Sequence, residues 1–480
     1  MKNFSLKAKN ILLLQSKDNE LKNINTQELT NHIERISIKK LFGYYNYAFP
    51  QRSSPSLSEL VILYADNGAG KSNLLRLIFL LLSTANNKGH KTAIAQTLFS
   101  EIELVLSSGY TLRAKRPAGL LSGPVIFEII QKRQLLLSWN FDPDSDSHNY
   151  AVEVGVDGKE LAKLPLSIRR KIESSTKKEL YFAHLKAINI SCSILTPDRI
   201  LFGDDSDSID RLVETNRSMS LSEMLSRSRS TSLENALTSA SNLIRKKAYR
   251  DAYGSGDSAN SIYSDIISNI ANVKSIDSGI DSPQKLKEDI KRRLKNIQDK
   301  YSKFYDYGLI SPISTDSLLS SIEKAKGEKL SLINSIAAPY INSLEARANA
   351  IDKIHEIVES FVTNVNSFLR DKRLTFKVST GFSIESDFSP QPLEVSDLSS
   401  GEQQLLLMFC HVLAARDSSS IFIIDEPEIS LNIKWQRKLV TSLLEIAKNS
   451  GLQMIFASHS FEILAKHRDK VIALEEHVIR

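Results

Sequence analysis

The sequence is organised around the run Leu398-Ser399-Ser400-Gly401-Glu402-Gln403-Gln404. A little further on, an apolar stretch ends in acids, in the run Ile421-Phe422-Ile423-Ile424-Asp425-Glu426-Pro427-Glu428. Far upstream, a glycine-containing loop lies between an apolar run and a helical pattern, and reads Ala65-Asp66-Asn67-Gly68-Ala69-Gly70-Lys71-Ser72. Three short motifs this far apart predict that distant parts of the chain meet in one site.

Composition sets broad limits on the kind of protein. The chain has 480 residues, enough for two or three ordinary domains or for one large domain with an insertion. Its net charge of +6 is small for this length, so it permits contact with nucleic acid without arguing for it. Cys192 and Cys410 match no metal or redox spacing, and no apolar stretch reaches the roughly 18 residues needed to cross a bilayer. With no signal peptide visible, we expect a cytoplasmic protein.

The loop at 65–72 has the composition of a phosphate cradle. Glycines allow backbone N–H groups to approach phosphate oxygens, and the helix that follows presents its N-terminus to anions. In this pattern Lys71 bridges the β- and γ-phosphates of ATP and Ser72 binds Mg²⁺. The first position of the pattern is usually Gly and here is Ala65, which is tolerated if its φ is negative. The expected nucleotide-binding residues are Asn67, Gly68, Ala69, Gly70, Lys71, Ser72 and Asn73.

Two acids end the apolar stretch and suit the chemistry of hydrolysis. Asp425 stands where a carboxylate would hold Mg²⁺, directly or through water. Glu426 is adjacent and would act as general base on the attacking water. His459 follows the next apolar strand, at 453–457, and would sense the γ-phosphate from the same sheet edge. We therefore predict Glu426, His459 and Lys71 as catalytic residues, and Asp425 with Ser72 as metal ligands.

The run at 398–404 predicts a contact made in trans. Ser399, Ser400 and Gly401 begin a helix, and a hydroxyl with N-terminal amides can bind a γ-phosphate presented by a second copy. Such a site is complete only when two chains face each other head to tail, so loss of the γ-phosphate would open the dimer. Ser430-Leu431-Asn432 lies where communication between the copies would run.

The pattern along the chain predicts an α/β fold, with a mixed β-sheet and flanking helices, split by a helical arm. We expect two strands joined at Gly43, a hairpin turning at 107–109, further strands at 125–130, 135–139, 151–156 and 188–195, and a strand pair at 374–384. The predicted units are an extension at 1–32, an N-terminal lobe with the phosphate loop at 33–202, a Ser-rich variable insertion at 203–281, the arm at 282–370 and a C-terminal lobe at 371–480.

The two inserted units carry their own expectations. The Ser-rich insertion is interpreted as a mobile surface segment, with a regulatory or nucleic-acid-contacting segment as the alternative. The arm is interpreted as antiparallel helices, because apolar residues recur at spacings of three and four from Leu286 and again from Ile341. The basic residues between 285 and 295 are expected on a solvated helix face, and a phosphate-binding stripe is the alternative.

These motifs resemble those of the ABC-type ATPases of the SMC, DNA-repair and overcoming-lysogenization-defect group. The resemblance covers roughly residues 33–200 and 370–480 and implies ATP and Mg²⁺ as cofactors, ATP hydrolysis and dimerisation around the nucleotide. Within that group, the run Leu41-Phe42-Gly43-Tyr44-Tyr45-Asn46-Tyr47 and the short arm look like the stand-alone ATPases of bacterial antiphage systems. The PtuA family, of Septu and of retrons with an HNH effector, is the first choice, and the AriA family of PARIS is the second.

The resemblance implies a function for which partners are needed. We expect a sensor or regulatory scaffold for a nuclease effector of HNH type, with a reverse transcriptase or retron DNA as further partners and no membrane contact. No nuclease constellation is visible in the sequence. The alternatives are a DNA-repair or chromosome-maintenance clamp and a subunit of a membrane importer. One departure from the ABC pattern concerns the strand end Thr196-Pro197-Asp198-Arg199, which lacks the usual Gln, so that Arg199 or Asp198 is the candidate substitute.

Overall fold

The structure is a computed structural model, and the account below is confined to the residues it describes. Those residues are 31–50, 57–66, 68–86, 88–143, 166–203, 221–253, 283–311, 313, 315–325 and 328–474. Three expectations lie outside them: most of the N-terminal extension, the strand at 151–156 and the placement of Asn67.

The described chain contains runs of strands and runs of helices. The strands are β1 Ile33–Leu41, β2 Tyr45–Phe49, β3 Leu60–Tyr64, β4 Glu101–Leu106, β5 Tyr110–Lys115, β6 Val125–Gln131, β7 Gln134–Phe141, β8 Cys192–Leu195, β9 Leu201–Gly203, β10 Lys372–Lys377, β11 Gly381–Ser386, β12 Ser389–Leu393, β13 Ile421–Asp425, β14 Gln453–Ala457 and β15 Val471–Ala473. The helices are α1 Lys71–Leu82, α2 His90–Gln96, α3 Leu166–Ala187, α4 Leu221–Tyr253, α5 Pro283–Asp306, α6 Asp316–Lys324, α7 Glu328–Asn366, α8 Ser400–Ser418, α9 Ile433–Ala447 and α10 Phe461–Lys466.

A mostly parallel sheet lies at the centre, with strand order β15-β3-β14-β13-β8-β9. Within it β15, β3, β14, β13 and β8 are parallel, and β9 is antiparallel at one edge. Side chains alternate between the two faces of a strand. Accordingly Ile423 of β13 packs with α1 and the antiparallel sheet, whereas Phe422 packs with α8, α9 and the arm. The sheet therefore separates two hydrophobic cores.

An antiparallel sheet completes one of these cores, with strand order β2-β1-β4-β5-β6-β7. The expected pair around Gly43 and the hairpin at 107–109 are confirmed as β1–β2 and β4–β5. Helix α3 was not predicted, although the spacing of Tyr181, Phe182 and Leu185 on it is a helical signal and all three are buried. The core strand expected at 188–195 begins only at Cys192, because α3 extends to Ala187.

The interpretation of the Ser-rich insertion as a surface segment is wrong for its described helix. On α4, Leu233, Leu237 and Ile244 are buried in the same core as α8. Ser241 donates a hydrogen bond to the Leu237 carbonyl, 2.8 Å away, and accepts one from the Phe382 backbone at 3.1 Å. A serine hydroxyl that bonds to backbone is compatible with a buried helix, so composition alone misled the prediction.

The arm contains the expected helices, but the prediction that they are antiparallel is wrong. Three contacts join α5 to α7 at a constant sequence offset, from Arg293 to Glu345, from Lys300 to Asp352 and from Tyr307 to Glu359. Because both members of each pair advance together, α5 and α7 run in the same direction. Helix α6 and its flanking loops carry the chain back between them, and Lys287 near the start of α5 donates to the Glu323 carbonyl on α6.

The predicted apolar faces of the arm helices are confirmed. On α5, Ile290, Leu294, Ile297, Tyr301 and Phe304 are buried. On and after α7 the buried series is Ile341, Leu344, Ala348, Ile351, Ile354, Val358, Phe361, Val365 and Phe368. The residues that make the three polar contacts recur every seven positions along each segment. This is the heptad spacing of parallel coiled coils.

The base of the arm is tied to a small antiparallel sheet of β10, β11 and β12. The Asn366 side chain, at the last residue of α7, donates to the Leu374 carbonyl at 2.9 Å and accepts from the Leu374 amide at 2.7 Å. The architecture is the α/β fold expected, with the arm helices inserted between β9 and β10. None of the described helices has the length and apolar character needed to cross a membrane.

The parallel register of the arm can be tested by exchanging charges. Arg293→Glu alone places a second carboxylate beside Glu345. It should lower the free energy of unfolding by about 0.5–1 kcal/mol, and the thermal unfolding midpoint with it. The double variant Arg293→Glu with Glu345→Arg should recover at least half of that loss. Calorimetry of the two single variants and the double variant measures how far the double loss of stability differs from the sum of the single losses. A double loss equal to that sum would contradict the parallel pairing.

Candidate functional site

The glycine loop has the strained backbone of a phosphate cradle. Gly68 and Gly70 have φ angles of 89° and 81°, in the left-handed region that favours glycine. A Cβ on Gly70 would lie 2.9 Å from Cδ2 of Leu41 and 3.1 Å from the ring of Phe42. Ala65, in the place usually held by Gly, does not have a positive φ. Alanine is therefore tolerated at the first position, while the last glycine of the loop is required by contact as well as by conformation.

The turn between β1 and β2 supports this loop from behind. The buried Tyr47 hydroxyl donates to the Ala69 carbonyl at 3.1 Å. Together with the contacts of Leu41 and Phe42 to Gly70, this bond fixes the loop against the antiparallel sheet. The loop leads directly into α1, whose backbone begins with the bond from the Leu74 amide to the Gly70 carbonyl at 2.8 Å.

Lys71, Ser72 and Asp425 lie together at the carboxyl edge of the parallel strands. The buried Lys71 ammonium donates to the carbonyls of Ala65 and Asp66 at 2.7 and 3.0 Å. Burial raises the pKa of Asp425 above its usual value, and the Ser72 hydroxyl lies close enough to the Asp425 carboxylate to oppose that rise. Among the described atoms, the buried Oδ1 of Asp425 has no hydrogen-bond partner.

Glu426 and His459 follow adjacent strands, β13 and β14. The Glu426 amide donates to the Ala457 carbonyl at 2.9 Å, and Glu426 has a positive φ of 51°. The backbone amides of His459 and Ser460 both donate to Oε1 of Glu428, at 2.6 and 3.0 Å. The structure thus brings Glu426 and His459 to one edge, as predicted. It adds Glu428, for which the sequence suggested no role, as the carboxylate that anchors the His459 backbone.

Ser399 caps the helix α8 and remains accessible. Ser399 and Ser400 are exposed, although α8 beyond them is largely buried. The Ser399 amide and hydroxyl each donate to Oε2 of Glu402 at 2.8 Å, and Lys372 donates to the same oxygen at 3.0 Å. Burial acts to raise the pKa of Glu402, but the Ser399 and Lys372 donors outweigh it and hold the pKa below its usual value. Glu402 is therefore an ionised anchor for this turn.

Gly401 packs closely against the segment that follows the two acids. A Cβ on Gly401 would lie 3.0 Å from the Ser430 carbonyl and 3.4 Å from the Trp435 ring. Asn432 caps α9, accepting from the Trp435 amide at 3.0 Å. The start of α8 therefore contacts Ser430 within one chain. The role of 430–432 in communication between copies stays a prediction.

These residues fit MgATP. The glycine loop and the N-terminus of α1 suit phosphate oxygens, and the Ser72 hydroxyl with the Asp425 carboxylate offers the oxygen ligands that Mg²⁺ prefers. The unpartnered oxygen of Asp425 is a further sign that the site accommodates a cation. Asn73 is half-buried on α1, and Asn67 lies outside the described residues.

A family model for the AAA ATPase domain (AAA_15) matches residues 54–464. The matched range includes the glycine loop, the acids at 425 and 426 and His459, and it spans most of the chain.

Curated relatives match shorter segments. An ABC transporter ATP-binding protein of Clostridium acetobutylicum is 22% identical over 169 residues, which make up 35% of this chain and 58% of that protein. The ABC transporter ATP-binding protein p29 of Mycoplasma pneumoniae is 27% identical over 81 residues, 17% of this chain and 32% of that protein. The molybdenum import ATP-binding protein ModC of Salmonella choleraesuis is 33% identical over 79 residues, 16% of this chain and 22% of that protein. The matches thus span between 22% and 58% of the length of these relatives.

Solved structures of Smc head domains are also similar. One is the head domain with an extended coiled coil from Pyrococcus furiosus, bound to the C-terminal domain of ScpA. It has a TM-score of 0.35 and 13% identity, covering 93% of this chain and 97% of that one. Another is the head domain with a coiled coil and joint from Pyrococcus yayanosii, with a TM-score of 0.33 and 15% identity, covering 94% and 95%.

The anchor role of Glu402 predicts a pH-dependent contribution to stability. Because its pKa is lowered by folding, its charge stabilises the folded state at neutral pH, and that contribution is lost as the pH falls through the folded pKa. Glu402→Gln should therefore cost about 1 kcal/mol at pH 7, the size of a helix-cap effect, and less as the pH falls below 4.5.

Thermal unfolding of wild type and Glu402→Gln between pH 7.5 and 4 measures this difference. Glu288→Gln, at an exposed position on α5, is the control and should match wild type throughout. A gap between wild type and Glu402→Gln that stays constant over this range would contradict the anchor.

Proposed function

The chain belongs to the AAA ATPase domain family, and from this premise we propose that it binds and hydrolyses MgATP between two head-to-tail copies, as an ABC-type switch. The observation that carries the proposal is the convergence of Lys71, Ser72, Asp425 and Glu426 at the ends of neighbouring parallel strands. The family match supports the ATPase activity, and the geometry supports the assignment of individual residues to it.

Each residue has a role that its placement supports. The loop amides and Lys71 hold the phosphates, exchanging the Ala65 and Asp66 carbonyls for phosphate oxygens as partners of the ammonium. Ser72 and Asp425 hold Mg²⁺, which when bound neutralises phosphate charge and orients the terminal phosphoryl group. Glu426 takes a proton from the attacking water. His459, whose backbone is fixed by Glu428, reports on the γ-phosphate.

Dimerisation is supported by the exposure of the α8 N-terminus. Ser399 and Ser400 are solvent-accessible at the start of a helix that is otherwise part of the core. Their hydroxyls and the first amides of α8 are suited to an anion, and that anion is the γ-phosphate of the second copy. Gly401, packed on Ser430, joins this contact to the acids of the same chain.

We propose further that the ATPase acts in the cytoplasm as sensor and scaffold for a nuclease of an antiphage system, of the Septu or retron type. The support is the resemblance of the 41–47 run and the short arm to the stand-alone ATPases of such systems. The arm offers a surface remote from the nucleotide site on which an HNH nuclease, with or without a reverse transcriptase and its DNA, would assemble.

A repair-type DNA clamp is the second candidate, favoured by the basic helix α5. The structure engages part of that charge within the arm, because Arg293 pairs with Glu345 and Lys291 with Glu323. Lys291, Arg292 and Lys295 are exposed, and Arg292 pairs with Asp289 on the same helix. A clamp would bind duplex DNA with an affinity that falls steeply with salt.

The first test concerns the general base and the dimer together. Glu426→Gln should bind ATP, lower turnover by roughly 10²-fold or more, and accumulate as a closed dimer. Light scattering after gel filtration with ATP and Mg²⁺ measures the dimer, and Lys71→Ala with Glu426→Gln is the monomeric control. Wild-type turnover in Glu426→Gln would remove Glu426 from the role of base.

The trans contact is tested by mixing two inactive variants. Lys71→Ala lacks a working phosphate loop, and Ser399→Arg blocks the contact to the partner's phosphate. A mixed dimer has one complete site, so an equimolar mixture should recover roughly a quarter of wild-type turnover, since about half of the dimers are mixed. A mixture with no more activity than its components would contradict the head-to-tail arrangement.

The nuclease partner is tested by purification from the native operon. Tagged wild-type protein should carry a stoichiometric nuclease, identified by mass spectrometry, and an α5 surface variant such as Lys295→Glu tests whether the arm holds it. Recovery of the chain alone, or only with DNA, would favour the repair-type clamp and reject the scaffold role.

A further inference from the structure

Arg199 is a buried cation beside the acids of the site. It follows β8, the strand that pairs with β13 in parallel and ends next to it. Its residue is 5% exposed, and its φ of 62° lies in the left-handed region. Neither property is usual for an arginine in a loop, because charged side chains are rarely buried without a specific partner.

The guanidinium is bonded to the backbone of the loop that carries the general base. Its Nη2 donates to the carbonyls of Glu426, Pro427 and Ile429 at 3.1, 3.2 and 3.4 Å. The Glu426 carbonyl also accepts from the Ile429 amide, at 3.3 Å. One side chain from the loop after β8 thus binds three carbonyls of the segment that follows β13.

The segment held in this way is itself strained. Glu426 and Ser430 both have positive φ, at 51° and 64°, although neither is a glycine. Such residues persist only where the surroundings fix the conformation, and they cluster at functional sites. At the far end of the segment, the Ser430 carbonyl lies against Gly401, and the Trp435 ring lies beside the same glycine.

The burial of Arg199 carries a desolvation cost. Burial lowers its pKa to about 10, against the opposing effect of Glu428, Glu426 and Asp425. Within the described residues its buried Nε and Nη1 have no hydrogen-bond partner.

We propose that Arg199 is a positioning residue for ATP hydrolysis, which holds the 426–430 segment so that the Glu426 carboxylate and the Ser430–Gly401 contact are set together. The inference rests on the proposed role of Glu426 as general base. Arg199 itself touches neither nucleotide nor water in this role and acts through the backbone of the segment. It occupies the strand end where the ABC pattern has its Gln, but its contacts are to backbone carbonyls.

The test uses Arg199→Met in the full chain. Turnover should fall by roughly 10- to 100-fold, because a small misplacement of a catalytic group is enough for such a loss. The KM for ATP should stay within about threefold of wild type, since the phosphate loop is unchanged. The thermal midpoint should fall, because the carbonyls lose their donor, and turnover is therefore compared at a temperature at which wild type, Arg199→Met and Arg116→Met are all folded. Free guanidinium at millimolar concentration should raise the turnover of Arg199→Ala, whose short side chain leaves room for it, and leave wild type unaffected.

Arg116→Met is the matched control. Arg116 is also buried with a pKa lowered by burial to about 10, but it donates to carbonyls of 94, 95, 97, 123 and 124, away from the acids. This variant should lose thermal stability and keep the turnover of the folded fraction.

A second readout is independent of hydrolysis. Trp435 lies at the end of the held segment, and the other tryptophan, Trp139, is 1% exposed. Acrylamide should quench the emission of Arg199→Met more than that of wild type, because the loosened segment exposes Trp435. If wild type hydrolysed no ATP while this change was present, the proposed function would fail, and Arg199 would still be shown to hold the 426–430 segment.

Two results would overturn the inference. One is Arg199→Met with turnover within about twofold of wild type and unchanged quenching. The other is a loss of turnover that follows a loss of stability as in Arg116→Met, with no rescue by guanidinium.

Discussion

The parallel hydrogen bonding of β3, β14 and β13 is the constraint on which the site depends. It sets Leu63, Ala457 and Asp425 side by side. The glycine loop, the turn that carries His459 and the two acids therefore start from the same edge of the sheet. The backbone bonds from Ser458 to Leu63 and from Glu426 to Ala457 extend that alignment beyond the strands. Ligands of open parallel sheets bind at this edge, and here residues from both ends of the chain are required to form it.

The parts of the site that the sequence predicted are those in which a short run carries its own physical reason. A strand, a glycine loop and a helix in succession are typical of a phosphate-binding site. Phosphate binding by Lys71 and Mg²⁺ binding by Ser72 could therefore be predicted from this run. An apolar strand that ends in two acids likewise indicated the roles of Asp425 and Glu426. The capping box of Ser399 and Glu402 is also a local pattern, and its third partner, Lys372, comes from a strand about 30 residues earlier in the chain.

What could not be predicted depends on contacts between distant segments. An apolar stripe on α5 and another on α7 serve parallel and antiparallel pairing equally, and only the offset from Arg293 to Glu345 separates the two. Helix α4 looked like a surface segment because serine is common in it, yet Ser241 satisfies its hydroxyl locally and on β11. Arg199 was a candidate only as a substitute for the missing Gln at its strand end, and nothing near it in the sequence indicated its partners. Its partners are backbone carbonyls more than two hundred residues away in the chain. Because every residue has a backbone carbonyl, a sequence does not indicate which of them accept a hydrogen bond.

The base of the arm and the start of α8 share one chain of contacts. Asn366 at the end of α7 is bonded twice to Leu374 on β10, and Lys372 on the same strand binds Glu402, which in turn holds the amide and hydroxyl of Ser399. Phe368, just beyond α7, packs edge-on against Trp435 beside Gly401. A displacement of α7 relative to the head must therefore either break these bonds or carry Ser399 with it. The exposed Ser399 and the base of the arm are therefore joined through the side chains of Glu402, Lys372 and Asn366.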